Sequence, residues 1–412
     1  MTVNLNKNYS LVFNSHNNTA VLYNTKNDER FFMNKALYKI LKNINLIDNH
    51  QLLERNKYIK QLLDKNILTY KNESGVIREV DISTPLVNIQ LEITKKCNLR
   101  CQHCYLDEYQ TQSFDKDSLI KLVDEASKLG VMNFDITGGE PFVHKDIFEI
   151  INYISKRGMS TIIFTNGTYC NKQIINVLKN SNVKLLRISL DGHNEDTHDS
   201  IRGKGSFNKT LKNIKTFLEN GIQIEINNVI HKKNIRYVPE LINLFKELNV
   251  PFHLDRYVPT TDPQNDNLHI SHKEYLDAIS EYSNLYTENV IHGTSSNFYC
   301  GAGNNYVFIR ANGNISLCPT MPEELVAGNI KEKSLEDIWL NSKFFNHFRN
   351  LNCKYIKQCE ASSICKGGCR SRSIYLEGDL FAEDLQMCHL VKKVTGITPP
   401  PLSKEHKNYE YV

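Results

Sequence analysis

The 412-residue sequence predicts an α/β protein built on a parallel sheet of six strands, open or partly closed, with a smaller module at each end. Three observations predict it. From about residue 87, short apolar runs alternate with stretches of helical spacing, the pattern of successive strand–helix–strand units. Before that point come short strand-like runs and then helices, with no cysteine in the first 96 residues. Near the other end, seven of the 11 cysteines fall between Cys300 and Cys388.

The amino-terminal module comes first. Ser10–Phe13, Thr19–Tyr23 and Arg30–Met33 are strand-like, separated by Asn/Asp/Lys turns. Helical spacing follows in Leu37, Ile40, Leu41 and Ile44, and again in Leu52, Leu53, Ile59, Leu62 and Leu63. This is too small for a large active site, so a binding module is the reading. In the central region the predicted strands are Val87–Ile93, Asn133–Thr137, Thr161–Thr165, Leu185–Leu190, Ile222–Val229 and Phe252–Arg256. The intervening helices are Ser118–Leu129, Ile147–Lys156, Lys172–Lys179, Asn208–Asn220 and Val238–Leu248. Right-handed crossovers make such strands parallel, and ligands sit at their carboxyl ends. TTDPQNDN (Thr260–Asn267) reads as a linker before a helix at His272–Leu285. YVFIRANGNISL (Tyr306–Leu317) reads as a hairpin turning at Asn312-Gly313.

Composition excludes several classes. At 40% hydrophobic and 23% charged, the chain is not disordered as a whole. No run approaches the ~18 apolar residues of a membrane span, and MTVNLNKNYS has no apolar core of a secretory signal. A net charge of +4 gives nothing in favour of a nucleic-acid partner. The expected compartment is the reducing cytoplasm, where clustered thiols read as metal ligands rather than disulfides.

The cysteines then carry the chemistry. Cys97, Cys101 and Cys104 form a C-x3-C-x2-C loop directly after the first central strand. Three thiolates can wrap one metal centre, and a fourth position left open is where chemistry happens. A structural zinc knuckle completed by His103 is the bland alternative. Other polar groups close later strands: Thr137–Pro141 (TGGEP), Phe164–Thr168 (FTNGT), Ile188–Gly192 (ISLDG) and His198–Phe207 with Arg202. Glycines admit a close backbone approach, and a guanidinium suits a carboxylate. All of these segments point to one rim of the sheet. At the C-terminus the spacing is Cys300-x12-Gly313-x4-Cys318, then Cys353-x5-Cys359-x5-Cys365-x3-Cys369, then Cys388. Paired zinc ribbons are the plain alternative there. Cys170 fits neither group and has no assigned role.

The cysteine triplet, with TGGEP and the later strand ends, resembles the radical S-adenosylmethionine (SAM) superfamily over roughly residues 87–260. The resemblance implies a partial (β/α)6 barrel and a [4Fe-4S] cluster on Cys97, Cys101 and Cys104. SAM would be contacted by Tyr105, Gly138, Gly139, Glu140, Asn166, Ser189, Asp191 and Arg202. Glu140 would help to hold an ammonium group, Ser189 and Arg202 would lie near the methionine carboxylate, and Asp191 near the ribose. The C-terminal cysteines, with GNIKEKSLEDIW (Gly328–Trp339) between them, resemble the SPASM extension. That implies two auxiliary [4Fe-4S] clusters, one on Cys300, Cys318 and Cys369, the other on Cys353, Cys359, Cys365 and Cys388. Cys359 departs from the common C-x2-C spacing. Residues 1–82 resemble in size and order the winged helix-turn-helix module that binds precursor-peptide leaders in such enzymes. Its mode would be β-augmentation beside Arg30–Met33 and packing near Asn56–Lys65, with Arg30, Arg55, Lys57 and Lys60 facing an acidic leader.

The resulting division is 1–82 leader-binding, 83–260 radical SAM, 261–296 linker and bridging helix, 297–395 SPASM and 396–412 tail. The implied function is a maturase that crosslinks a ribosomally made precursor peptide, with a Cys thioether the leading product. Flavodoxin or ferredoxin is the implied low-potential electron donor. Formylglycine formation by an anaerobic sulfatase maturase is disfavoured by Pro319 after Cys318 and by the extra amino-terminal module. Carbon–carbon crosslinking and epimerisation stay open, and a non-catalytic iron–sulfur or zinc regulator is the alternative from another class.

Overall fold

A computed structural model describes residues 3–46, 56–71, 74–106, 111–259, 266–282, 301–349, 353–365 and 367–403. Cys300, Arg55 and most of the predicted linker lie outside the described residues.

The amino-terminal module contains β1 (Asn4–Leu5), β2 (Tyr9–Asn14), β3 (Thr19–Asn24), β4 (Arg30–Met33), β5 (Leu68–Thr69) and β6 (Val76–Val80). The three expected strands, β2, β3 and β4, form an antiparallel meander. The strand β6, which the sequence reading passed over, pairs parallel to β2 and gives the order β4-β3-β2-β6. Helices Lys35–Lys42 and Lys57–Asp64 are capped by Asn34 and Asn56, whose side chains accept from the first-turn N–H groups. Leu11, Leu22, Tyr38, Leu41 and Ile59 build a core separate from that of the barrel.

The central sheet runs through β7 (Asn88–Glu92), β8 (Asn133–Thr137), β9 (Ser160–Thr165), β10 (Val183–Ser189), β11 (Ile224–Ile230) and β12 (Phe252–Arg256), all parallel. The five predicted helices are present at Lys116–Lys128, Ile147–Lys156, Lys172–Asn180, Ser206–Glu219 and Val238–Glu247. Each turns an apolar face onto the sheet, as Leu119, Leu122, Val123 and Ala126 do in the first of them. One further helix, Glu195–Arg202, lies between β10 and the helix Ser206–Glu219 and is not among the predicted helices. Asn194 and Thr197 close a reciprocal capping box at its start.

The C-terminal region does not form its own sheet. In the hairpin of β13 (Tyr306–Ile309) and β14 (Asn314–Ser316), β13 lies parallel beside β7, pairing Phe308 with Gln90. With β15 (Gly328–Asn329) the sheet has nine strands, in the order β12-β11-β10-β9-β8-β7-β13-β14-β15. The expected six-stranded sheet is extended because the apolar β13 buries Val307, Phe308 and Ile309 against the open edge of β7. Trp339 is buried and donates to the Thr84 carbonyl at 2.6 Å, with the Arg349 guanidinium 4.2 Å over its ring.

The amino-terminal module docks at the amino ends of the barrel strands. Tyr23 hydrogen-bonds Ser160, Arg78 donates to the Val131 carbonyl at 2.6 Å, and Lys184 meets Asp28 at 3.4 Å. Gly158 has φ +71°, and a Cβ there would collide with Val76 across this junction. The module therefore sits at the base of the barrel, opposite the carboxyl ends of its strands. No helix among the described residues is long and apolar enough to cross a membrane.

Candidate functional site

The cysteine loop leaves β7 and is gripped at once by the end of β8. Gly139 and Glu140 donate their backbone N–H groups to the carbonyls of Thr94 and Lys96, at 2.7 and 2.8 Å. A Cβ on Gly139 would strike the Lys96 carbonyl, and one on Gly138 the Thr94 carbonyl. In this structure the two glycines admit the cysteine loop itself, a closer partner than the bound ligand expected from sequence. The outer side of the loop is pinned where Gln102 N–H and Nε2 donate to the carbonyls of Ile201 and Ser200.

Cys97, Cys101 and Cys104 are all half-buried on this loop. Burial pushes the Cys97 thiol up, and the Cys101 thiol to about 11, against the pull of Arg202. Leu99 N–H points at Cys97 Sγ (3.4 Å), and Arg202 Nη1 lies 4.0 Å from Cys101 Sγ. Thiols raised this far ionise when a cationic metal centre replaces the lost water. Each thiolate of a cluster binds a different iron, and the three thiols of this loop can supply three of those four positions.

The polar residues around the loop divide into two groups. Glu140 is buried beside β9, where its carboxylate accepts from Thr165 Oγ1, Asn166 N–H and Phe142 N–H at 2.9, 2.9 and 3.2 Å. Burial lifts it to about 7, opposed by those donors. Asn166 donates to Asn98 Oδ1 at 2.9 Å, with Cys97 Sγ 3.9 Å away. These two hold the loop from one side. Ser189 ends β10, half-buried at the carboxyl rim. Tyr105 follows the third cysteine, and burial holds its phenol well above the usual range.

On the other side Asp191 is fully buried. One carboxylate oxygen accepts from Arg202 Nε and faces His103 Nε2 (3.3 Å), while the other accepts from Val229 N–H at 3.0 Å. In this position it anchors Arg202 beneath the rim. Burial would raise its pKa, but Arg202 and His103 outweigh that and hold it below the carboxylate range. The sequence reading gave no role to His198 and His231. Both are buried within this network, and burial lowers each to about 4. His198 lies within the helix Glu195–Arg202 and His231 directly follows β11, and neither carries a motif that would flag it.

In the C-terminal region Cys353, Cys359, Cys365 and Cys388 line one cavity of about 380 Å³, mouth included, with Glu383 and Asp384 in its wall. Burial pushes the Cys353, Cys365 and Cys388 thiols up, Cys388 furthest because Cys365, Asp384, Cys353 and Cys359 crowd it. So many acidic groups in one cavity fit a polycationic cluster. Cys369 does not line it. Its helix, Arg370–Glu377, instead touches the Cys318 loop, where Ser371 Oγ donates to the Thr320 carbonyl at 2.9 Å. Asp384 links the two groups, a role the sequence did not reveal. It accepts from Cys369 N–H at 2.7 Å and pairs with Arg372 at 2.6 Å. It also caps the helix Leu385–Thr395 that carries Cys388. The Cys318 loop reaches back to the barrel mouth, where Glu323 meets Lys95 at 3.2 Å.

Sequence comparison matches residues 91–245 to the radical SAM superfamily and residues 300–370 to the SPASM iron–sulfur cluster-binding domain. The chain belongs to the radical SAM superfamily. SAM and [4Fe-4S] clusters are accordingly the cofactors of this radical SAM–SPASM protein, and both thiol groups fit the clusters chemically. It is similar to the AdoMet-dependent heme synthase of Methanosarcina barkeri, at 27% identity over 72% of this chain and 94% of that protein. It is 30% identical to the antilisterial bacteriocin subtilosin biosynthesis protein AlbA of Bacillus subtilis, over 70% of this chain and 66% of AlbA. The fold superposes on Streptococcus suis SuiB, solved bound to precursor peptide SuiA. The TM-score is 0.68 at 19% identity, covering 94% of this chain and 100% of SuiB.

Proposed function

We propose that this radical SAM–SPASM protein modifies a ribosomally made precursor peptide, and that its leading product is a crosslink from a substrate cysteine as a thioether. The observation that carries the reading is the pairing of a three-thiol loop at the barrel mouth with a separate four-thiol cavity in the C-terminal region. Similarity to AlbA and the fold shared with peptide-bound SuiB support a peptide substrate. When bound, the cofactors supply reductive cleavage of SAM to a 5′-deoxyadenosyl radical, which removes a hydrogen atom from the substrate.

The chain's own residues then divide the work. Cys97, Cys101 and Cys104 hold the SAM-binding cluster. Arg202 has five N–H donors, three of them directed at Asp191, Cys101 and His103, and offers the rest to the methionine carboxylate. Ser189 assists at the same rim, and Glu140 fixes the loop that presents the site. Cys353, Cys359, Cys365 and Cys388 hold one auxiliary cluster, and Cys318, Cys369 and Cys300 hold the other. Residues 1–82 receive the leader along the edge strand β4, where Phe32 is 80% exposed. Flavodoxin or ferredoxin supplies the electrons. In this division residues 83–260 form the radical SAM unit and 297–395 the SPASM unit.

Anaerobically purified protein should be brown and hold close to twelve irons, the content of three [4Fe-4S] clusters. With dithionite it should release 5′-deoxyadenosine from SAM. Cys318→Ala should abolish peptide crosslinking yet keep that release detectable; unchanged crosslinking would refute the role of Cys318. A heme precursor is the second substrate reading, favoured by the match along nearly the whole Methanosarcina relative. Assaying a candidate precursor peptide and a porphyrin side by side separates the two.

A further inference from the structure

The sequence reads residues 396–412 as a plain tail, but the described part of it is built into the C-terminal site. Gly396 ends the helix Leu385–Thr395 at φ +75° and donates its N–H to the Lys392 carbonyl at 2.9 Å, which turns the chain back on itself. Ile397 then packs against the small core of Ala361, Cys365 and Val391. Pro399, Pro400 and Pro401 face the same cavity as the four cysteines, with Pro399 and Pro401 buried.

We propose that Ile397–Leu402 is the outer wall of the auxiliary cluster held by Cys353, Cys359, Cys365 and Cys388, sealing it from water and setting its electronic environment. This rests on the assignment of that cluster in the proposed function. The physical reason lies in proline itself. Three consecutive prolines carry no N–H, so the part of this wall that faces the cavity, Pro399–Pro401, offers no backbone donor to a thiolate or sulfide, while its rings exclude water. Hydrogen bonds to the sulfurs and exposure to solvent are two of the levers that set a cluster's potential. The inner wall differs, because the backbone N–H groups of Tyr355 and Gly367 act on Cys353 and Cys365. The cavity is thus donor-rich on the protein side and donor-free on the tail side. That asymmetry favours a low potential and slow attack by oxygen.

Two full-length holoenzyme variants and one shortened chain test the proposal. In the chain ending at Gly396, one phase of the loss of iron–sulfur absorbance in air should run about tenfold faster, the low end of what outer-shell changes cost metal sites. The triple variant Pro399→Ala, Pro400→Ala, Pro401→Ala keeps a wall but restores three N–H groups, so one cluster's midpoint potential, read by EPR, should rise. Cys388→Ala identifies that cluster by the iron and EPR signal it removes. Unchanged bleaching and unchanged potential, with full iron content, would overturn the wall. If Cys388→Ala leaves iron and EPR signal intact, the cluster assignment fails first, and the wall with it.

Discussion

The barrel mouth and the C-terminal cavity both gather cysteines, and they treat them in opposite ways. At the mouth, three half-buried thiols stand among polar groups that hold the loop from two sides: Asn166 and Glu140 on one, Arg202, Asp191 and His103 on the other. In the cavity, four thiols are enclosed by Tyr355, Ile356, Ala361 and the prolines of the tail. The first arrangement leaves a coordination position and charged donors for a ligand. The second supplies a full set of four thiols and a largely apolar wall. Under the proposed function, one residue type serves a reaction centre in one region and an enclosed electron-carrying centre in the other, and the surroundings make the difference.

The sharpest way to break this comparison is to remove one thiol from each region. Cys101→Ala should reduce 5′-deoxyadenosine release to background, whereas Cys353→Ala should leave it measurable. Equal loss in both would mean that the two sites are not functionally distinct. Next in size is Asp191→Asn, which strands the buried Arg202. A charge left unpaired in this way typically costs ~3–5 kcal/mol, and anaerobic denaturant unfolding should show a loss of that order together with weaker SAM binding. The pair Arg372–Asp384 offers the matching change in the second region, with Asp384→Asn lowering iron content more than it lowers SAM binding.

A pH series gives a smaller effect, to which buried histidines of the mouth contribute. His198 and His231 have folded-state pKa values of about 4 against an ordinary 6.5, because burial disfavours the charged ring. The stability they contribute is complete above pH 6.5 and is lost as pH falls from there through about 4. His231→Gln cannot titrate, so part of that slope should disappear from unfolding curves recorded between those limits. The smallest expected change is Lys232→Met, which removes the exposed ion pair with Glu274 at 2.8 Å. Exposed pairs contribute ~0–1 kcal/mol, and a larger loss in denaturant unfolding would show that the barrel depends on surface charge.

Much of this molecule was legible in the sequence, for reasons that individual elements make plain. Ile147–Lys156 and Phe252–Arg256 were placed correctly because the periodicity that marks them is local. Helix Glu195–Arg202 was missed because it is short and largely polar, and only its capping box announces it. Strand β6 was missed because Arg78 and Glu79 interrupt its apolar residues and only the pairing with β2 makes it a strand. At the site, the three mouth cysteines and Arg202 could be named from spacing and resemblance. The partnership of Asp191 with Arg202, and the straddling position of Asp384, could not, because each joins residues whose contact depends on how separate elements pack.

By itself the sequence determined the donors and their order: three thiols within eight residues after a strand, then a later series ending at Cys388. Near neighbours along a chain stay near in space, so local spacing fixes which atoms can share a centre. Tertiary structure decided which face each donor meets. The pairing of β13 with β7, the docking of the amino-terminal module at the base of the barrel and the folding back of Ile397–Leu402 all join segments far apart in the chain. Such contacts are selected by the summed burial of many side chains, a quantity that no single stretch of sequence contains.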